Sequence, residues 1–156
     1  MGAIYIGLII DDMEREFLLN RFPPRHPNVY ADHATLFFKP SEMAVKIAEE
    51  RRGHPVDLFV LAEVFDEKGH ALWLGCSYHD IDHSIVQQEF LHVTISCANG
   101  TSPVYSNTLL KKSWVDRFIL HRFPGYLRVV RTEDREKYQM TDELCRRRGV
   151  PVPKRQ

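Results

Sequence analysis

The sequence predicts an α+β fold built on a mainly antiparallel sheet, and three observations support this prediction. Short apolar runs rich in β-branched and aromatic residues, typical of strands, alternate with segments whose apolar residues recur at helical spacing. Two of these runs flank the turn-forming segment DEKG, as in a β-hairpin. The 156 residues are 44% apolar and 27% charged, close to average globular usage. We therefore expect residues 1–156 to form a single domain.

The first third of the chain contains two predicted strands, each followed by a predicted helix. The β-branched run 3–10 predicts a buried strand, and residues 12–22 have helical spacing that ends at a proline cluster. The run HATLFF (33–38) predicts the second strand. Pro40, Ser41 and Glu42 then form a helix start, and Gly53 marks the end of that helix.

The remaining elements follow from the same signals. Residues 56–66 and 70–78 predict the hairpin, and FLHVTISCA (90–98) predicts another strand. A short helix through Leu109 is expected, with Ser106 or Asn107 as its cap. The runs 114–123 and 126–132, split by Pro124-Gly125, predict a second hairpin. Residues 133–156 predict a basic C-terminal helix, over about 133–147, and a tail.

Charge and cysteine content exclude several classes of protein. Twenty-one basic residues balance 21 acidic ones, so no overall field attracts nucleic acid, although residues 111–156 are net positive by 7. The apolar N-terminal run lacks a preceding basic region, and no window is apolar enough for a membrane span, so we expect a cytoplasmic protein without a membrane partner. Cys76, Cys97 and Cys145 are scattered and predict reduced thiols.

Two segments share an unusual polar motif. His33-Ala-Thr35-Leu and His92-Val-Thr94-Ile each place a histidine and a threonine two residues apart in an apolar strand. Residues i and i+2 of a strand point to the same face, so each strand presents one imidazole and one hydroxyl while its alternate residues pack in the core. One such pair by itself is typical of a buried contact that satisfies itself, but two pairs favour a shared site.

The residue types of these motifs suit phosphodiester chemistry. A neutral imidazole can accept a proton from an attacking hydroxyl, and a protonated imidazole can donate one to the leaving oxygen. Threonine hydroxyls can donate hydrogen bonds to phosphate oxygens as charge develops. If the strands are neighbours, the sequence therefore predicts a site for acid–base cleavage of a phosphodiester.

The two His-apolar-Thr-apolar motifs, about 60 residues apart in a small α+β chain, resemble those of the 2H phosphoesterase superfamily. That resemblance implies a bilobal, pseudo-symmetric fold in which antiparallel sheets form a central cleft with helices on the outer faces. It implies His33, Thr35, His92 and Thr94 as catalytic residues, metal-independent hydrolysis, and no cofactor. Its substrates would be RNA ends or small nucleotides.

Four further residues are candidates for substrate binding around the cleft. Tyr5 on the first strand and Tyr105 in the loop after the second motif can stack on a base; the alternatives are a tyrosine at a sheet edge for Tyr5 and an ordinary loop anchor for Tyr105. Ser96 shares the predicted face of His92 and Thr94, and Lys39 follows the first motif closely enough to attract phosphate.

Histidines and acids also cluster at residues 79–83, and two tryptophans need an interpretation. His79 and His83 would align on a helix as metal ligands, but no third ligand follows at a suitable spacing, so this segment predicts a polar surface connection. Trp73 and Trp114 are interpreted as core aromatics.

Three functions are compatible with these observations. The first is a cyclic phosphodiesterase that opens a 2′,3′-cyclic phosphate at an RNA end. The second is a viral or phage enzyme that degrades signalling nucleotides, such as 2′-5′ oligoadenylate or cyclic oligonucleotides. The third is a 2H-fold protein that only binds RNA. The intact motifs favour the two enzymes, and no obligate protein partner is evident from the sequence.

Overall fold

The computed structural model describes residues 2–77, 81–132 and 134. The predicted C-terminal helix and tail lie outside the described residues, apart from Asp134. Seven strands are present in the described part: β1 (Ala3–Ile9), β2 (Asn28–Val29), β3 (His33–Phe38), β4 (Pro55–Phe65), β5 (Gly69–Cys76), β6 (His92–Cys97) and β7 (His121–Arg131). Three α-helices accompany them: α1 (Asp12–Arg21), α2 (Glu42–Glu50) and α3 (Tyr105–Lys112).

Six of the strands form a closed, barrel-like ring in which every neighbouring pair is antiparallel. The order around the ring is β1, β3, β6, β5, β4 and β7, and β7 returns to β1. The two-residue strand β2 joins the β3 side of β6. The predicted α+β class and the central β4–β5 hairpin are confirmed. The bilobal pseudo-symmetry stays a prediction.

The second predicted hairpin is wrong, because Pro124 and Gly125 lie inside the continuous strand β7. The first half of β7 pairs with β4, and pairing with β1 begins only at Tyr126. Pro124 lies before that point, so its missing N–H costs no bond to β1. A Cβ on Gly125 would stand 2.8 Å from Leu58 Cδ1 and 2.9 Å from Leu8 Cβ. Pro124 therefore lies where β7 is not yet paired with β1, and Gly125 lies where neighbouring side chains leave no room for a Cβ. Neither residue forms a turn.

Helices α1 and α2 begin and end where sequence signals indicate. The side chain of Asp11 accepts a hydrogen bond from Glu14 N, and that of Ser41 accepts one from Ala44 N, so both act as N-caps. Gly53 follows α2 with φ of 79°, a conformation that favours glycine. Buried residues of both helices, such as Leu18 and Ala48, belong to the main hydrophobic core.

Helix α3 starts earlier than predicted and without a side-chain cap. Its N-cap is Val104, so neither Ser106 nor Asn107 caps it. Ser106 is 1% exposed and faces the sheet instead. Leu109 and Leu110 pack with Val64 and Ala71 in a second, smaller core.

Alternate residues of the two motif strands pack as predicted. Ala34, Leu36, Val93 and Ile95 are all buried in the main core. Trp114, by contrast, is 98% exposed, so its interpretation as a core residue is wrong. Further along the same segment, the backbone N–H groups of Phe118 and Leu120 donate to carbonyl oxygens of β4.

Two other sequence expectations concern cysteines and the membrane. Cys76 and Cys97 are free thiols, and burial raises the pKa of Cys97 to about 11; Cys145 lies outside the described residues. Among the described residues, none of the helices combines the length and apolar character that crossing a bilayer requires.

Candidate active site

The four motif residues lie together on one face of adjacent strands. Strands β3 and β6 are antiparallel, with Ala34 paired to Val93. His33 and Thr35 flank Ala34 on β3, and His92 and Thr94 flank Val93 on β6, so the four motif side chains share the sheet face opposite to that of Ala34 and Val93. All four side chains are half-buried, whereas Ala34 and Val93 are fully buried on the other face. The two imidazoles and the two hydroxyls are therefore grouped around one junction between β3 and β6.

His33 is held between a carboxylate and an aromatic ring. Its Nδ1 lies 2.8 Å from Asp32 Oδ1, and its ring stacks on Tyr5 with centroids 4.6 Å apart. Burial acts to raise the pKa of Asp32, but the charge and hydrogen bond of His33 and the charge of Arg15 outweigh it, so the pKa is lowered. Asp32 is consequently ionised at neutral pH and fixes the orientation of the imidazole.

Gly7 gives the Tyr5 ring the room to reach His33. A Cβ at Gly7 would lie 2.7 Å from Cε2 and 3.0 Å from Cδ2 of Tyr5, and 3.1 Å from the carbonyl oxygen of Ala34. The Tyr5 ring therefore lies directly over the Gly7 backbone. By crossing Gly7, the Tyr5 ring extends from β1 to His33 on β3.

His92 is oriented by the backbone and not by an acid. Its Nδ1 donates to the carbonyl oxygen of Phe90 at 2.8 Å, which leaves Nε2 as the acceptor nitrogen of the neutral ring. Burial lowers the pKa of His92, and the charge of His33 adds to this effect, against the opposing hydrogen bond to Phe90. The influence of His33 on His92 is consistent with their shared face. His92 is therefore neutral at neutral pH.

Helix α3 positions the threonine of the second motif. Thr94 Oγ1 lies 2.8 Å from Ser106 Oγ, and it lies 3.5 Å from the carbonyl oxygen of Pro103. Either hydroxyl of the Thr94–Ser106 pair can be the donor. When Ser106 donates, the Thr94 hydroxyl proton is engaged only in the long hydrogen bond to Pro103 O and can turn to another acceptor.

An aromatic residue and a cation flank His92 on the β5 side. Trp73 pairs with His92 across the β5–β6 boundary, so its side chain shares the face of the motif residues. The Arg117 guanidinium carbon lies 4.4 Å from the centre of the Trp73 ring, and Phe90 packs edge-on against the same ring. Trp73 is thus half-buried beside the site, and Arg117 brings a positive charge to it.

Of the four predicted binding residues, Tyr5 contacts a motif residue, whereas the Ser96 side chain is buried and hydrogen-bonded to other parts of the fold. Ser96 is 0% exposed, and its hydroxyl accepts hydrogen bonds from the backbone N–H groups of Arg25 and His26, each at 3.2 Å. It also lies 3.4 Å from Nδ1 of the buried His70. The structure therefore uses Ser96 to join the loop before β2 to strand β6.

Tyr105 and Lys39 are also placed away from the four motif residues. The Tyr105 hydroxyl donates to Asp66 and accepts from Lys112, while its ring lies over Gly69 at the β4–β5 hairpin. Lys39 follows the far end of β3, where it lines a separate cavity of about 380 Å³. Binding roles for both residues stay predictions.

The histidine and acid cluster at 79–83 is described only in part, since His79 and Asp80 lie outside the described residues. Asp82 accepts a hydrogen bond from Ser84 N at the start of a short 3₁₀ turn, His83–Ile85. In the part of the chain that the structure describes, no three His, Cys, Asp or Glu side chains form a group able to hold a metal ion.

Several residues around the site were missed by the sequence reasoning. Asp32 directly precedes His33 in the sequence, and this adjacency was the one signal available for it. Gly7, Trp73 and Ser106 become neighbours of the motifs only through strand pairing and helix packing. No local pattern in the sequence distinguishes them.

Fold and site together define a small α+β protein that carries two histidines and two threonines on one sheet face. Its structure is similar to a crystal structure of a fungal RNA kinase, with a TM-score of 0.57 and 12% sequence identity over 84% of this chain. The match covers 46% of the fungal protein, so this chain spans less than half of that length. No family model and no curated protein sequence matches the chain. The comparison shows a shared fold.

Proposed function

We propose that this protein is a phosphodiesterase of the 2H type that hydrolyses a 2′,3′-cyclic phosphate at an RNA end. The observation that carries the proposal is the register of β3 and β6, which sets two histidines and two threonines on one face. The two histidines also differ in their second nitrogen's partner, a carboxylate for His33 and a carbonyl for His92. Two imidazoles with different partners suit the separate roles of acid and base.

His92 is the general base in this mechanism. Its Nδ1 proton is engaged with the Phe90 carbonyl, and its lowered pKa keeps Nε2 unprotonated at neutral pH. Nε2 therefore accepts a proton from the water that attacks phosphorus.

His33 is the general acid. The ionised Asp32 accepts a hydrogen bond from Nδ1, which fixes the ring so that Nε2 donates the transferred proton. As the new O–P bond forms, the ring P–O bond breaks, and the leaving ribose oxygen takes the proton of His33. The product is a phosphomonoester, and the proton that His92 has taken returns through solvent to His33.

Thr35 and Thr94 donate hydrogen bonds to the non-bridging phosphate oxygens. Each threonine lies two residues from its own motif's histidine on the shared face, and the phosphate is placed between the two imidazoles, within reach of both hydroxyls. Ser106 positions Thr94 for this contact and is a positioning residue, because it acts through the threonine. Donors held in place before the reaction stabilise developing charge without reorganisation.

The choice of an RNA end rests on the resemblance to 2H enzymes and on the shared fold with a protein described as an RNA kinase. In that family the two lobes of the fold enclose the cleft, and we extend this bilobal, pseudo-symmetric arrangement to this chain. Signalling nucleotides with 2′-5′ or 3′-5′ linkages present the same phosphodiester to the site. These nucleotides are therefore included as alternative substrates in the experiment below.

The test is turnover of an RNA ending in a 2′,3′-cyclic phosphate, 2′,3′-cyclic AMP, 2′-5′ oligoadenylate and cyclic dinucleotides, each with and without EDTA. We expect the first substrate to be the best and EDTA to leave its rate unchanged. His33→Ala and His92→Ala should each lower kcat by about 10²–10⁴-fold. His54→Ala is the matched control, because His54 is exposed after α2.

Full activity in both motif variants would exclude the proposed site. Loss of wild-type activity in EDTA would exclude the metal-independent mechanism. RNA binding without turnover of any substrate would indicate a binding protein instead.

A further inference from the structure

A groove of about 410 Å³ opens beside the candidate active site. One wall is the loop that precedes β6, with Gln88, Glu89 and Phe90. The opposite wall is one face of α3, with Asn107 and Lys111 one helical turn apart. Nothing in the proposed reaction uses this groove.

The groove is joined to the site by the loop itself. The backbone N–H groups of Gln87 and Gln88 donate to Leu36 O at 2.7 and 3.1 Å, and the Gln87 side chain accepts from Phe38 N. These bonds tie the loop to β3 just beyond Thr35. At its other end the loop reaches Phe90, whose carbonyl orients His92. The loop that forms one wall of the groove is therefore bonded to β3 just beyond Thr35 at one end and to His92 at the other.

The lining of the groove matches the surface of a nucleotide. Phe38 and Phe90 supply aromatic rings, and Phe38 is 49% exposed although it is apolar. The carboxamides of Gln88 and Asn107 can both donate and accept, as the edge of a base requires. Lys111 is an exposed cation, suited to a backbone phosphate, and Glu89 can accept from base amino groups.

We propose that this groove binds the nucleotide next to the reacting phosphate and so makes single-stranded RNA, not a mononucleotide, the preferred substrate. The inference rests on the proposed function, since it deepens the substrate class of the same site. The RNA strand leaves the active site past His92, stacks a base against the aromatic wall, and places its next phosphate near Lys111. A mononucleotide fills the active site alone and leaves the groove empty.

The test compares kcat/KM for a short RNA ending in a 2′,3′-cyclic phosphate with kcat/KM for 2′,3′-cyclic AMP. We expect the RNA to be preferred by about tenfold or more, since one base stack and one phosphate contact are added. The double variant Asn107→Ala/Lys111→Ala should remove most of this preference and leave turnover of 2′,3′-cyclic AMP unchanged. Lys46→Ala, at an exposed lysine on α2, is the matched control and should retain the preference.

Equal use of both substrates by the wild type, or an unchanged preference in the double variant, would overturn the inference. Binding of a short RNA ending in a 3′-phosphate gives an independent readout by fluorescence anisotropy. Lys111→Ala should make the slope of log Kd against log salt shallower by about 0.7. If neither cyclic substrate is turned over, the proposed function fails. The binding slopes of wild type and Lys111→Ala then still decide whether RNA occupies the groove.

Discussion

Replacing Gly7 with alanine tests whether the stacked Tyr5 ring holds His33 in place. The new Cβ would stand 2.7 Å from Tyr5 Cε2, and ordinary contact begins at 3.4 Å, so the ring must retreat by about 0.7 Å. The backbone has little freedom to absorb this shift, because Gly7 pairs with Thr35 on one side and Arg128 on the other. The ring of Tyr5 therefore shifts, which disturbs its stacking on His33.

The size of the effect follows from the contact that is lost. A stacked aromatic pair contributes about 0.5–1.5 kcal/mol beyond its buried area. If that energy orients His33 in the transition state, Gly7→Ala should lower kcat/KM by about 2- to 12-fold. The assay is turnover of RNA ending in a 2′,3′-cyclic phosphate, together with the thermal midpoint, which should fall by only a few degrees as the stack is lost.

A double-mutant cycle isolates the cause. In a Tyr5→Ala background the added methyl group meets no ring, so Gly7→Ala should there have almost no effect on kcat/KM. Tyr5→Phe keeps the ring and should retain the sensitivity to Gly7→Ala. An equal loss of activity in the Tyr5→Ala background would refute the reasoning and assign the effect to the sheet backbone near Ala34.

Three further predictions concern the surroundings of the site and its strands. If the proposed site binds a phosphate, Arg117→Ala should raise KM about fivefold through loss of the cation that stacks on Trp73 beside His92, whereas Arg122→Ala, which removes an arginine stacked on Phe59 of β4, should not. Because burial lowers the pKa of His92 from its ordinary 6.5, the unfolded chain binds more protons, and the free energy of unfolding falls as pH drops below about 6.5; His92→Asn should make this fall shallower in urea titrations. Gly125→Ala should destabilise the protein by about 2 kcal/mol through contact with two leucines, measured against Gly2→Ala, where a Cβ meets nothing within 4 Å and stability should stay the same.

Local signals predicted much of the fold. The strand His33–Phe38 was predicted with its observed bounds, and Ser41 and Gly53 marked the two ends of α2, because capping and strand alternation depend on residues close in sequence. The prediction of a turn at Pro124-Gly125 is wrong because it, too, depends only on residues close in sequence. As a local pattern the dipeptide predicts a turn, and only the end of the β1 pairing and the packing of Leu58 explain why a strand passes through it.

The candidate site also contains a part that local sequence signals predict and a part that they do not. The placement of His33 and Thr35 on one strand face follows from the two-residue repeat of a β-strand, and so does that of His92 and Thr94. The partners of the site depend on long-range contacts. Ser106, expected as a helix cap, instead contacts Thr94 because α3 packs across the sheet.

The central position of β6 has a consequence for the dynamics of the protein. β6 is bordered by β5 along one edge and by β3 and β2 along the other, and its neighbours belong to a closed ring. Successive amides of β6 point alternately to its two edges, so both ladders must open before Val93, Thr94 and Ile95 are all exposed. We therefore expect slow hydrogen exchange along this stretch, which carries the second motif.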